Sequence, residues 1–250
     1  MKWNWASASA CGTSHIRLGT AKQDAHRVIL RSGSKILIAV ACDGAGTAEF
    51  GGQGAAIAAR TFTSEIARCL KRSLKSITDQ VIWDAVDLVR DQITIAARKR
   101  DLVLRDFATT LVACISDGRN TISAHIGDGA ITARLASDGL WQSLSWPEHG
   151  EYASTTFFMT DEIDVRLRIS RFAEPVDRIV VMTDGLERLA LDFARLVPHS
   201  PFFAGISEPV FADGNERGSP ILSKALRRYL DSPAINDRTD DDKTLIIAAR

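Results

Sequence analysis

Two apolar periods alternate along the chain, and their order predicts its elements. Residues 3–11 interleave large and small side chains and read as an opening strand, and 26–30 read as a second. In the third, 36–42 (ILIAVAC), all seven positions are apolar, which fits a strand covered on both faces better than a helix. From residue 51 the period lengthens. Ala55, Ala56, Ala59, Phe62, Ile66, Ala67 and Leu70 recur at helical spacing, and Val81, Ile82, Ala85, Leu88, Val89, Ile93 and Ala96 mark a second helix over about 78–100. Strands return at 107–116, 120–126, 165–171, 178–183 and 243–249. A short helix is predicted at 185–193 and a last one at 219–230, where Pro220 occupies a first-turn position that tolerates proline.

Between these elements, Asp117-Gly118, Gly127-Asp128-Gly129 and Asp138-Gly139 predict hairpin turns. Residues 12–24 read as a loop or strand pair, 145–162 as a surface loop or flap, and 198–218 as loop. Runs of strands around two adjacent long helices argue against alternating βαβ units. The predicted class is α+β with antiparallel sheets covered by helices, in one domain spanning 1–250.

The apolar runs carry a second message where they end. The 36–42 strand runs into Asp43, with Gly44 and Gly46 letting the backbone turn sharply and approach a ligand. RIVVMTDG repeats that grammar with Asp184, NTISAHIGDG repeats it with Asp128, and DDDKTLIIAA mirrors it with acids before the strand. Antiparallel neighbours bring the end of one strand beside the start of the next, so these carboxylates are expected at one rim. Crowded acids repel one another, and a divalent cation is the usual resolution.

Composition narrows the picture further. The 31 basic and 31 acidic residues of the 250-residue chain cancel, so nothing global steers it toward nucleic acid or an anionic membrane. No apolar run approaches the ~20 residues of a membrane span, and the N-terminus lacks a signal-peptide apolar region; a cytoplasmic protein is expected. Cys11, Cys42, Cys69 and Cys114 lack CxxC spacing and read as buried thiols rather than a zinc site.

With these pieces placed, the chain resembles the metal-dependent protein phosphatases, the PPM or type 2C family, in their shorter bacterial form. The resemblance rests on SHIRLGTAKQDAH, IAVACDGAG, TTLVACIS, ISAHIGDGA, GEYASTTFF, IVVMTDGLE and DDKTLIIAA, in the family's order over nearly the whole chain. It implies two stacked antiparallel β-sheets flanked by helices, an α-β-β-α sandwich, with a two-metal centre between the sheets. It implies that Asp43 bridges both metals, that the Gly44 carbonyl binds the second, and that Asp184 and Asp241 complete the first. Asp24 matches an acid near the second metal, and Asp128 an aspartate associated with a third ion. All-oxygen ligands select Mn²⁺ or Mg²⁺ over Zn²⁺. Two such ions would lower the pKa of a shared water for in-line attack on phosphorus.

The sequence departs from the family at three points. Gln23 stands where members commonly carry Glu, weakening the second site. The phosphate-gripping arginine would fall at Gly19, leaving Arg17 as candidate. The histidine proposed as general acid is replaced by Ala45, leaving His15, His26 or a metal-bound water.

The implied function is a phosphoserine/phosphothreonine protein phosphatase in bacterial signalling, acting on a phosphorylated protein, a cognate kinase or its target. An inactive phosphoprotein-binding relative and a two-metal phosphodiesterase are the competing expectations.

Overall fold

A computed structural model describes residues 2–33, 35–148, 156–161, 163, 165–214 and 217–250. In chain order, the first half contains β1 (Asn4–Ala10), α1 (Thr13–Leu18), β2 (Ala25–Arg31), β3 (Ile36–Cys42), α2 (Gly51–Cys69), α3 (Asp79–Arg98), β4 (Leu111–Ser116) and β5 (Thr121–Ile126). The second half contains β6 (Ala130–Leu135), β7 (Trp141–Ser145), β8 (Arg168–Phe172), β9 (Val176–Met182), α4 (Glu187–Ala190), β10 (Leu191–Asp192), β11 (Val197–Pro198), α5 (Ser200–Asp213), α6 (Pro220–Leu230), α7 (Pro233–Asn236) and β12 (Lys243–Ala249).

Two five-stranded antiparallel sheets, β1-β12-β9-β6-β7 and β2-β3-β4-β5-β8, stack face to face. The all-apolar β3 shows why. Leu37, Ala39 and Ala41 pack between the sheets with Val112, Ile131, Ile179, Val181 and Ile246. The alternate residues Ile36, Ile38, Val40 and Cys42 pack outward beneath α2 and α3. On the other side α5 and α6 cover the first sheet through Phe203, Val210, Leu226 and Leu230. The result is the expected α-β-β-α sandwich.

Packing decides these helices more than their caps do. The residue before α2, Phe50, gives no side-chain cap, a loss of about 1 kcal/mol. Phe62 and Ile66 are fully buried on the same helix, each worth roughly 1.5–3 kcal/mol.

Three expectations are corrected. Residues 12–24 contain α1, a helix closed by Gly19 in the left-handed conformation at φ 67°. It buries none of its residues, so it left no apolar stripe to read. Residues 198–218 contain α5, hidden by Pro201 and Pro209. Pro201 sits in the first turn, and the interior Pro209, costing about 3 kcal/mol, is offset by burial of Phe203 and Val210, with Phe203 stacked 5.1 Å from Trp141. Gly127-Asp128-Gly129 is not a hairpin: β5 and β6 belong to different sheets, and this turn carries the chain between them.

Boundaries moved as well. Residues 104–107 form a 3-10 turn, so β4 begins at Leu111, and β8 begins at Arg168. Residues 149–155 and 162 of the flap expected at 145–162, including Glu151 and Tyr152, lie outside the described residues.

Candidate active site

Asp43 follows β3 directly, and its backbone is held on both sides. Its N–H donates to Thr110 Oγ1 at 3.0 Å, and its carbonyl accepts from the Thr110 N–H at 2.8 Å and from Thr109 Oγ1 at 2.9 Å. Gly44 is then required by close approach. A Cβ there would stand 2.2 Å from the backbone of Gly51, at the start of α2.

Asp184 opens a 3-10 turn at the end of β9, where Thr183 ties three pieces together. The Thr183 N–H donates to the Thr244 carbonyl, its Oγ1 accepts from the Thr244 N–H at 3.0 Å, and that hydroxyl donates to Asp24 Oδ2 at 2.8 Å. Asp24 is 4% exposed. Gly185 lies against the loop before β12, where a Cβ would meet the Asp242 carbonyl at 1.9 Å.

The three consecutive acids of that loop have different fates. Asp240 pairs with Arg17 at 2.9 Å, both more than 60% exposed. Asp241 stands on the cavity rim. Asp242, 1% exposed, accepts from the backbone N–H groups of Gly12 (2.7 Å), Gln23 (2.5 Å) and Asp24 (3.3 Å).

Carboxylate oxygens of Asp43, Asp128 and Asp184 all lie within 4.8 Å of one another. They line a cavity of about 1050 Å³ that Asp241 also lines. Asp128 is aimed there by its two glycines. Gly127 has φ 106°, and a Cβ on Gly129 would sit 2.5 Å from both the Met182 carbonyl and Val112. The acids are held at a cost. Burial first, then the charges of Asp184 and Asp24, raises the Asp43 carboxyl well above the usual range. Burial first, then Asp128 and Asp241, does the same to Asp184. Asp24 is pushed up to about 6, chiefly by burial.

This oxygen-only set fits a hard divalent cation, which would remove the repulsion that raises these carboxyls. The expected ligands are therefore brought together, with one difference. Asp128 joins Asp43 and Asp184 in the tight group, and Asp241 stands outside it at the rim.

Other expected residues fall elsewhere. Arg17 is taken by Asp240 and does not line the cavity. His15 Nδ1 is engaged by the Ala21 carbonyl at 3.1 Å and Thr20 Oγ1 at 3.0 Å, also away from the lining. His26 pairs through Nε2 with Ser7 Oγ at 2.9 Å, and burial lowers its pKa to about 4. His125, likewise pushed down by burial, bonds Ser145 Oγ at 2.6 Å and serves the sheet. The Gln23 carboxamide lies over the loop after Asp43. In the orientation that satisfies both its ends, its NH₂ donates to the carbonyls of Gly44 (3.0 Å) and Ala45 (3.2 Å).

Sequence reading missed Thr183 and Asp242, whose roles depend on long-range pairing, and Arg105 and Arg188 on the cavity wall. The spacing of Arg188, four residues past Asp184, was the one available signal for it.

A four-layer sandwich with carboxylates gathered at the joint of its sheets defines the class, and the relatives agree. A family model described as protein phosphatase 2C matches residues 11–231. The chain is 34% identical over 253 residues to serine/threonine-protein phosphatase 3 of Escherichia coli (strain K12), covering 99% of this chain and 98% of that one. A serine/threonine phosphatase from S. agalactiae shares the fold with a TM-score of 0.68 at 15% identity, over 99% of both chains. PppA of Pseudomonas aeruginosa does so with a TM-score of 0.69 at 14% identity, over 100% of this chain and 98% of its own. The chain belongs to the protein phosphatase 2C family.

Proposed function

We propose that this chain, as a single unit, hydrolyses phosphoserine and phosphothreonine in protein substrates with the help of Mn²⁺ or Mg²⁺. The observation that carries the reading is the group Asp43, Asp128 and Asp184, with oxygens within 4.8 Å, on the wall of a cavity in a phosphatase-family chain. These three, with Asp241 and the Gly44 carbonyl, are the residues that would hold two ions, or a third. When bound, such ions activate water and neutralise charge on the phosphoryl group.

The chain supplies rigidity. Thr109 and Thr110 fix the Asp43 backbone, and Thr183 fixes Asp24 against the joint of β9 and β12. Phe158 and Ile163 line the cavity with apolar surface for the peptide around the phosphorylated residue, and Ile163 is 88% exposed. The natural substrate would be a bacterial phosphoprotein, a serine/threonine kinase or that kinase's target, in the cytoplasm. Among the described residues no helix is long and apolar enough to cross a membrane.

The test is phosphate release from a phosphothreonine peptide with Mn²⁺ and with EDTA. Turnover is expected only with the metal. A folded protein that releases none in Mn²⁺ would overturn the reading in favour of a binding module, and preferential hydrolysis of a diester would move it to a phosphodiesterase.

A further inference from the structure

The described cavity wall carries seven acidic residues, Asp43, Asp106, Asp128, Asp161, Asp184, Glu187 and Asp241, and two basic ones, Arg105 and Arg188. A phosphate monoester entering this space is itself an anion. Even with two divalent ions bound, acids outnumber the cationic charge, so cations supplied by the chain weigh heavily in substrate binding. Other arginines near the sheets are engaged: Arg17 by Asp240, Arg168 by Glu148 and Arg178 by Glu208, each at 2.9 Å. Among the described residues Arg105 and Arg188 make no ion pair and no side-chain hydrogen bond.

They also arrive from different halves of the molecule. Arg105 lies on the 3-10 turn Leu104–Phe107 after α3, beside the second sheet. Arg188 lies on α4, four residues past Asp184, at the end of β9 in the first sheet.

We infer that Arg188 and Arg105 are the side chains that hold the substrate's phosphate, a role whose family position falls at Gly19 here and for which Arg17 was the sequence's candidate. This rests on the phosphatase reading of the cavity. A guanidinium presents paired donors that match phosphate oxygens, so one on each wall would orient the group over the carboxylates. Both side chains are exposed, so their loss should leave the fold intact.

Titration calorimetry of inorganic phosphate into the Mn²⁺-loaded protein tests this without requiring turnover. Arg188→Gln and Arg105→Gln are each expected to weaken phosphate binding about tenfold. Arg188→Lys should recover only part of the loss, because it lacks the fork. Mn²⁺ affinity, read by electron paramagnetic resonance, should stay within about twofold, and KM for p-nitrophenyl phosphate should rise more than kcat falls. Unchanged phosphate affinity in the double variant would overturn the inference, as would a loss that follows Arg17→Gln instead. Wild-type protein that binds phosphate through these arginines yet never hydrolyses an ester would overturn the catalytic reading and leave this one standing.

Discussion

Asp184→Asn is expected to lower metal-dependent turnover by about a thousandfold or more while making the metal-free chain harder to unfold. The first effect follows from removing a carboxylate from the only described group of side chains that could gather around an ion, at several kcal/mol of barrier. The second follows from the same geometry. Burial and the neighbouring Asp128 and Asp241 disfavour the charged carboxyl of Asp184 in the folded state, and an amide of the same shape carries no such penalty.

The sign with pH is fixed by the direction of the shift. Asp184 and Asp43 are raised on folding, so their contribution is fully present below the carboxylate value of the unfolded chain and is lost as pH rises through their folded values. The metal-free wild type should therefore lose stability toward pH 8, and the variant should lose less. A relief of about 1 kcal/mol corresponds to roughly 2–4 °C for a chain of this size. Melting in EDTA at pH 6 and pH 8, then with Mn²⁺ added, checks it. A variant that melts below wild type in EDTA at pH 8, or that keeps the full Mn²⁺-induced rise, would contradict this account.

Asp242→Ala should have the largest effect on the fold. Its carboxylate accepts from three backbone N–H groups and is 1% exposed, so truncation leaves the buried donors of Gly12 and Asp24 and the part-buried donor of Gln23 unsatisfied. A loss of about 3–5 kcal/mol is expected, roughly a 10 °C drop in Tm. Asp240→Ala, two positions away, removes only an exposed pair with Arg17 and should cost about 0–1 kcal/mol. Urea titration of both decides the point. Equal losses would mean that Asp242 is not the tie this geometry makes it.

The sheets were legible in sequence because their strands are apolar on one or both faces. Residues 36–42 and 243–249 were read to their ends. The carboxylates were legible because each strand-ending acid sits beside a turn. Helices that bury little, such as α1, or that contain proline, such as α5, were not readable by those signals. Neither was the division of labour within 240–242, because it is decided by partners more than two hundred residues away in the chain. Arg105 and Arg188 escaped for a related reason. A solvent-facing arginine has no periodic signature, and only the folded cavity distinguishes it from other surface cations.

The crossing at Gly127-Asp128-Gly129 sets how far Asp128 stands from its two companions. It enters the first sheet, whereas Asp43 leaves the second, so the spacing of the two strand ends follows from the hydrophobic layer between the sheets, which includes Val112 packed against Gly129. The affinity of the proposed ion site would thus follow interlayer thickness. A shaved methyl deep in that layer would detune the site from a position that touches neither ion nor ester.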